Sequence, residues 1–596
     1  MEAIVNPVSF LIFLPLLIAL IDLLIPARTS RYLNLLACFV LLGSLIAFYG
    51  IVPESVSFGE ILSLSMDDFA YFSLLFVQIL GVIFSIYLIG NEKKNLAIYF
   101  MISLTVINGA LVASEPIPFI VFWGLSGLML YLFGITKREG ASSSKKALML
   151  SGISDSLLIF GFFMIAGVMG GSFSIFNLQP ELNNGWTITA FIFVAFAAFT
   201  KAGAFPMHIW VPSYCEKTSI EGTFILPASF DKILGIYLFA RLMWNAKLIP
   251  GSLQIIFALL GAFTIIAGVM MALIQHNGRK LLGYHAVSQV GYMILGIATG
   301  NPVGIIGGLL HTVNNAIYKS GLFMGLGNVE QSVETTDLDK LGGLSKKMPV
   351  TFWGMLINAV SISGLPPTNG FISKWLIYNG LLLAIAQGTF PTQLILTICL
   401  IMALFGSALT FASFMKLTYS IFLGKSFRKT EEIKKVKKAP VIALLINASL
   451  CVFIGVAWRI FPVKMLSNIF GQTTLSYGGY FSITQYLGVF TIVAISGTLL
   501  YLLFKRIRFD SAYVGGQPDS PSFRVSGVSF FNEIREMVPL KSIYRAAENK
   551  WLDIYELSRT VVMKLTFPLK RLHTGELSFY SLWITIGFVI LLIVLM

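Results

Sequence analysis

A chain of 596 residues that is 56% hydrophobic and only 12% charged, with a mean hydropathy of +0.82, carries more apolar surface than a soluble core can bury. Apolar runs long enough to cross a bilayer recur from one end to the other, so the fold class read from the sequence is an all-α polytopic membrane protein in contact with the lipid bilayer. The net charge of +14 does not signal nucleic acid, because the lysines and arginines fall in short loops between spans, where membrane topology accounts for them.

In chain order the predicted spans fall near residues 8–26, 32–52, 68–90, 95–113, 116–136, 147–170, 187–210, 222–244, 252–275, 280–299, 302–327, 349–387, 392–424, 439–461, 481–504 and 577–596, about 16 transmembrane helices. The first run lacks a basic n-region and a small-residue cleavage site, so a retained span is expected. Basic residues cluster after odd-numbered spans, from Arg28 and Arg31 to the run between Lys425 and Lys438, whereas loops after even-numbered spans hold Glu54, Glu60, Asp67, Asp68 and Glu181. The positive-inside rule then places the chain in the cytoplasmic membrane with both termini outside. Cys38, Cys215, Cys399 and Cys451 stand far apart with no C-x-x-C pair, so no metal site or iron–sulfur cluster is expected in this chain. Any redox chemistry belongs to partner subunits.

The seventh span carries Lys201 within its apolar run, followed by Gly203 and Pro206, and the eighth carries the adjacent Asp231 and Lys232. A charge at the centre of a bilayer helix costs roughly 2.5 to 3.5 kcal/mol, so such residues face protein or water rather than lipid. A second broken span, SISGLPPTNGFISKWLI, places Pro366 and Pro367 before Lys374. Prolines in membrane helices often serve only to kink them for packing; the lysine beside each break favours paired, discontinuous helices of an inverted repeat with an ion site near the midplane. The expected organisation is peripheral spans 1–3 over 1–94, two inverted five-helix repeats over 95–245 and 246–424, spans 14 and 15 over 425–510, a linker and lateral amphipathic helix over 511–575, and an anchor span over 576–596.

The eleventh span adds His311, Asn315 and Lys319 at i, i+4 and i+8, which drift only about 40° around a helix over about 12 Å. One face can then hold a hydrogen-bonded polar chain. The tenth span supplies Tyr284, His285, Ser288, Gln289 and Tyr292 as groups able to hold water, with His285 read as a packed interior histidine. Near the C-terminus, Leu540, Tyr544, Ala547, Trp551 and Ile554 recur at helical spacing with charges on other faces, the pattern of one interfacial helix from Lys541 to Phe567, about 40 Å long.

The segments KAGAFPMHIWVP, RKLLGYHAVSQVGYM, HTVNNAIYKSGLF and LPPTNGFISKW resemble the antiporter-like, proton-conducting subunits shared by respiratory complex I, Mrp sodium/proton antiporters and energy-converting membrane-bound NiFe hydrogenases. PASFDKILGIYLFAR, TTDLDKLGGLSKKMP and the late HTGELS are most similar to the large membrane subunit of Ech-type hydrogenases. The resemblance implies an ion-translocating subunit, for H⁺ with Na⁺ left open, whose partners are other membrane subunits and a peripheral redox module carrying a NiFe centre and iron–sulfur clusters. It also implies that Lys201 is the central lysine of a first half-channel, Lys319 that of a second, and Lys374 the lysine near its exit. His311 matches a histidine of the connecting axis, while Asn315 stands where a second histidine is common. Gly124 occupies the position of a glutamate usually paired with the central lysine, which leaves Asp155 or Asp231 as the carboxylate partner of Lys201 or Lys232. A stand-alone sodium/proton antiporter, a distal pumping subunit of complex I and a scaffold with a decayed channel are the rival readings.

Overall fold

The computed structural model describes residues 7–47, 56–58, 62–171, 173–177, 180–246, 249–423, 433–471, single positions between 485 and 499, 528, 531–538, 540–549, 553–573 and 575–595. Most of the expected span 481–504, the polar link after it and residues 424–432 of the basic loop lie outside the described residues. The chain forms two compact units, Met1–Met537 and Val538–Met596.

The first unit is a helix bundle: α1 (Pro7–Leu24), α2 (Ala27–Ala47), α3 (Asp68–Ile89), α4 (Lys94–Val112), α5 (Pro116–Ile135), α6 (Ala141–Met169), α7 (Gly185–Ala202), α8 (Trp210–Lys217), α9 (Ile220–Ile225), α10 (Asp231–Asn245), α11 (Gly251–Leu273), α12 (Gly278–Ala298), α13 (Pro302–Val333), α14 (Pro349–Ser363), α15 (Asn369–Gln387), α16 (Phe390–Phe422), α17 (Lys438–Val456), α18 (Pro462–Ile469) and α19 (Asn532–Glu536). A small antiparallel hairpin, Val56–Phe58 with Leu62–Leu64, precedes α3. Side chains at several helix starts accept from otherwise unbonded backbone N–H groups: Asp67 from Ala70, Asn277 from Arg279 and Lys280, and Asn301 from Gly304 beside Pro302 at the first helical position.

Among the described residues, twelve helical segments are long and apolar enough to cross a membrane. The first, eleventh, twelfth and fifteenth expected spans are not among them. Val8–Leu24 is a shorter apolar helix, and α13 is long but its polar stripe lowers its hydropathy. The twelfth expected span is two helices, α14 and α15, and the fifteenth falls largely outside the described residues. The apolar window of Ile220–Asn245 is 100% buried and that of Phe390–Phe422 only 28%, so Asp231 and Lys232 stand inside the bundle while most of α16 faces outward. Glycines let α11 and α12 meet backbone to backbone: a Cβ on Gly291 would come within 2.5 Å of the Gly261 carbonyl oxygen and 2.7 Å of the Ile265 nitrogen.

Both expected breaks are present and share one geometry. α7 ends at Gly203 with φ 81° and ψ 44°, and α14 ends at Gly364 with φ 79° and ψ 40°, the left-handed conformation that ends a helix without a Cβ clash. Each glycine precedes a cis X-Pro bond, Phe205–Pro206 and Pro366–Pro367. The eighth span is interrupted as well, by one π turn over Leu226–Phe230 immediately before Asp231, where Ser229 Oγ donates to the carbonyls of Phe224 and Ile225 at 2.7 Å each.

In the second unit the single helix expected from Lys541 to Phe567 is two, α20 (Leu540–Glu548) and α21 (Ile554–Leu572). Asp553 is the reason for the restart: its side chain accepts from the N–H groups of Tyr555 and Glu556 at 3.0 and 3.3 Å, a helix N-cap. Trp551 lies outside the described residues. A final apolar helix, α22 (Leu577–Leu595), follows.

Candidate functional site: a buried row of charges

The broken helices and the π turn bring four buried lysines and two carboxylates into one neighbourhood of the bundle. Lys201 sits in the last turn of α7 and donates to the Trp123 carbonyl in the middle of α5 at 2.9 Å, its ammonium 5.2 Å from the indole centroid. Trp123 in turn donates through Nε1 to Ser154 Oγ at 3.4 Å. A Cβ on Gly124 would meet Asp155 Oδ2 at 3.8 Å, so the Asp155 carboxylate lies beside the position that lacks the usual glutamate. Asp231 is buried at 1% exposure, and neither of its oxygens has a hydrogen-bond partner among the described residues. Its charge and that of Asp155 are the two carboxylate charges that reach Lys201. No direct ion pair joins either acid to Lys201 or Lys232 among the described residues, so the coupling acts through space.

Lys232 and Lys374 occupy equivalent settings at the two breaks. Lys232 Nζ donates to the Ala202 carbonyl, the last residue of α7, at 2.7 Å. Lys374 Nζ donates to the carbonyls of Ile362 and Ser363, the last residues of α14, at 2.9 and 3.4 Å, and to Ser407 Oγ at 3.0 Å. The C-terminal carbonyls of a helix carry a partial negative charge, so each ammonium is stabilised by a half-helix dipole as well as by hydrogen bonds. Lys201 and Lys319 have no such terminus: each reaches a single carbonyl within a helix, Trp123 in α5 and, at 3.4 Å, Leu282 in α12. The row therefore alternates between lysines bonded at helix ends and lysines bonded to a carbonyl within a helix.

The polar stripe on α13 is not the direct chain expected from its spacing, because its members reach different neighbours. His311 bonds to Ser373 Oγ through Nδ1 at 2.9 Å and to Gln289 Oε1 through Nε2 at 3.1 Å. Tyr318 OH lies 3.3 Å from both Gln289 Oε1 and His311 Nε2. Asn315 Nδ2 donates at 3.3 Å to the Ala228 carbonyl inside the π turn, joining the second half of the molecule to the segment that carries Asp231 and Lys232. Tyr292 packs its ring 5.5 Å from His311 and 4.7 Å from the Lys374 ammonium. Tyr284 is half-buried. The charges of Lys232 and Lys374 both reach Lys319, which makes the row continuous from Asp155 through Lys201, Asp231, Lys232 and Lys319 to Lys374.

Comparison with known proteins gives this geometry a family. Residues 113–406 match the family model described as NADH:quinone oxidoreductase/Mrp antiporter, TM, an interval that contains every residue of the row. Over this stretch the chain belongs to the antiporter-like superfamily. Within that superfamily it is 27% identical over 499 residues to a Na(+)/H(+) antiporter subunit of Alkalihalophilus pseudofirmus, covering 76% of this chain and 61% of the relative. It is 27% identical over 438 residues to hydrogenase-4 component B of Escherichia coli, covering 69% of this chain and 65% of the relative. The chain thus spans somewhat under two thirds of the length of these relatives. Its fold matches a chain of an archaeal respiratory complex, the membrane-bound sulfane sulfur reductase, with TM-score 0.84 and 22% identity over 98% of this chain and 100% of that one.

Sequence reasoning missed several residues of this neighbourhood. Trp123, Tyr318 and Ser373 are ordinary membrane-helix residues until the fold places them against a lysine or a histidine. Lys416 did carry a signal: it is the one charged residue in the apolar run 392–424, the same test that singled out Lys201. It is buried on α16 and donates to the carbonyls of Leu273 and Gln275 at 2.5 and 2.9 Å, another cation at a helix C-terminus, that of α11. Among the described residues no group of three or more His, Cys, Asp and Glu side chains could hold a metal ion, and the four cysteines are buried free thiols.

Proposed function

We propose that this chain is an ion-translocating, antiporter-like subunit of a membrane redox complex, in which electron transfer in partner subunits drives charge along the row from Asp155 to Lys374. The observation that carries the reading is the row itself: buried lysines, the buried Asp231 and the half-buried Asp155 in electrostatic reach of one another, set at two helix breaks of the same geometry. A one-unit pKa shift corresponds to about 1.4 kcal/mol, whereas moving one charge against 100 mV takes about 2.3 kcal/mol. Several coupled groups are therefore required, and the row supplies them. Lys232 and Lys374, tied to half-helix ends, are placed so that gain or loss of their protons biases Lys201 and Lys319, which bond to carbonyls within helices. Asp155 stands in for the glutamate missing at Gly124.

The same reading assigns sixteen spans, two inverted five-helix units around the breaks, the cytoplasmic membrane as location and both termini outside, supported by the alternation of basic loops along the sequence. The partners are other membrane subunits and a peripheral redox module. A hydrogenase-type module, with its NiFe centre and iron–sulfur clusters in partner chains, is supported by the similarity to hydrogenase-4 component B. A sodium/proton antiporter is the second reading, favoured by the likeness to the Alkalihalophilus antiporter protein.

The test uses membrane vesicles containing the complete complex, with electron transfer and ion movement followed separately. Lys201→Ala and Lys319→Ala are expected to abolish ion movement while the complex still assembles. Parental pumping by both variants would sink the assignment. Sodium uptake by vesicles that contain this chain without any redox partner would replace it with the antiporter reading.

A further inference from the structure

His285 has a setting that a packed core histidine does not need. Its Nε2 lies 2.7 Å from Ser413 Oγ on α16, and its Nδ1 is buried with no hydrogen-bond partner among the described residues. Its ring packs against Phe414 with centroids 4.6 Å apart, and the Lys319 ammonium lies 5.7 Å from the centroid of that same Phe414 ring. Lys319 bonds to the carbonyl of Leu282, one turn before His285 on α12. Lys416 follows Ser413 by three residues on α16, about 4.5 Å of rise, and its partners Leu273 and Gln275 mark the end of α11 and the loop to α12. The charges of Lys319, Lys374 and Lys416 all reach His285. A buried imidazole with one unpartnered nitrogen, placed among three lysines and bonded to a hydroxyl, is a junction.

We propose that His285 and Ser413 form a proton branch from Lys319 to Lys416, opening at the face of the bundle that carries the loop between α11 and α12. The inference rests on the reading of the chain as an ion translocator. In the branch, a proton leaves Lys319 and adds to His285 Nδ1 through intervening water, and the imidazolium releases its Nε2 proton to Ser413 Oγ. The hydroxyl accepts that proton on a lone pair and gives up its own toward Lys416. Ser413 is thereby restored, and the imidazole is left as its other tautomer, to be reset by ring rotation or by proton return. Lys416 holds the outer end, with the Phe531 ring 5.4 Å from its ammonium as a cover. Lys374 reaches Ser407, two turns earlier on α16, and so lies apart from this branch, which is the path that limits proton release.

The experiment uses vesicles containing the complete complex, with the parent, Ser413→Ala, Ser413→Thr, Lys416→Cys and Lys319→Ala compared for assembly, electron transfer and proton movement in H₂O and D₂O. Ser413→Ala is expected to lower proton movement about 100-fold, the low end for loss of a positioned proton-transfer group, and Ser413→Thr to keep it with the parental isotope effect. Lys416→Cys is expected to be blocked and then restored by aminoethyl methanethiosulfonate, which rebuilds a lysine-like ammonium. Parental movement in Ser413→Ala and Lys416→Cys, with Lys319→Ala blocked, removes the branch and leaves the translocator reading standing; parental movement in Lys319→Ala as well removes both. A loss in Ser413→Ala that threonine does not rescue assigns Ser413 to packing and also removes the branch. If Ser413→Ala fails to assemble, rescue of Lys416→Cys by the reagent decides.

Discussion

Asp155 beside Gly124 makes a charge-transfer experiment possible. The space at position 124 is open, since a Cβ there meets only Asp155 Oδ2, at an ordinary contact distance of 3.8 Å. Asp155→Asn removes one of the two carboxylate charges that reach Lys201. For a charge pair about 6 Å apart at an effective dielectric near 20, such a loss is worth about 3 kcal/mol, or roughly a 100-fold slowing of any step in which Lys201 must be charged. Gly124→Glu alone places a second carboxyl group near that of Asp155 and is expected to slow ion movement as well, because one acid of a close pair is kept protonated. The double variant Gly124→Glu with Asp155→Ser returns a single carboxylate to the site and is expected to recover most of the parental rate. The assay is ion movement per electron transferred in vesicles containing the complete complex, with the amount of assembled chain measured alongside. Should the double variant be as slow as Asp155→Asn, Asp155 is not the replacement for the missing glutamate, and Asp231 takes that role.

Three other outcomes follow from the packing. Gly291→Ala forces a methyl group against the Gly261 carbonyl and the Ile265 nitrogen, and overpacking of this kind costs about 1–3 kcal/mol; a lower melting temperature in detergent is expected, and an unchanged one would show that α11 and α12 can part freely. Asn315→Ala removes the side-chain donor to the Ala228 carbonyl, a hydrogen bond worth about 0.5–1.5 kcal/mol, whereas Asn315→His keeps a donor and is expected to retain ion movement; equal loss in both would deny that the bond to the π turn matters. At the exposed loop pair, Lys437 donates to Glu92 Oε1 at 2.7 Å and holds that carboxyl below its ordinary range. Its stabilisation is present above the ordinary glutamate pKa and is lost as pH falls through the lowered one. Because the pair is screened by solvent, Lys437→Ala is expected to leave thermal stability unchanged at physiological salt, and a clear drop would contradict this.

Composition and residue spacing are enough for the class, the two breaks and most of the charges. Long apolar runs admit only helices in a bilayer, Gly203 and Gly364 beside Pro206 and Pro366 can hardly continue a helix, and Lys201, Asp231, Lys232, Lys319 and Lys374 stand out because a charge in an apolar run must have a reason. Lys416 met the same criterion and was legible in principle. What each charge touches is set by packing. The i, i+4, i+8 stripe of α13 fixed a face, yet His311 turned to Gln289, Tyr318 and Ser373, Asn315 to a π-turn carbonyl, and Lys319 to Leu282. Spacing along one helix says nothing about which neighbour offers an acceptor, because that neighbour comes from a distant part of the chain. The distinction between lysines anchored at helix ends and lysines held by a single mid-helix carbonyl arises the same way. It depends on where another helix stops, and therefore on how the bundle packs.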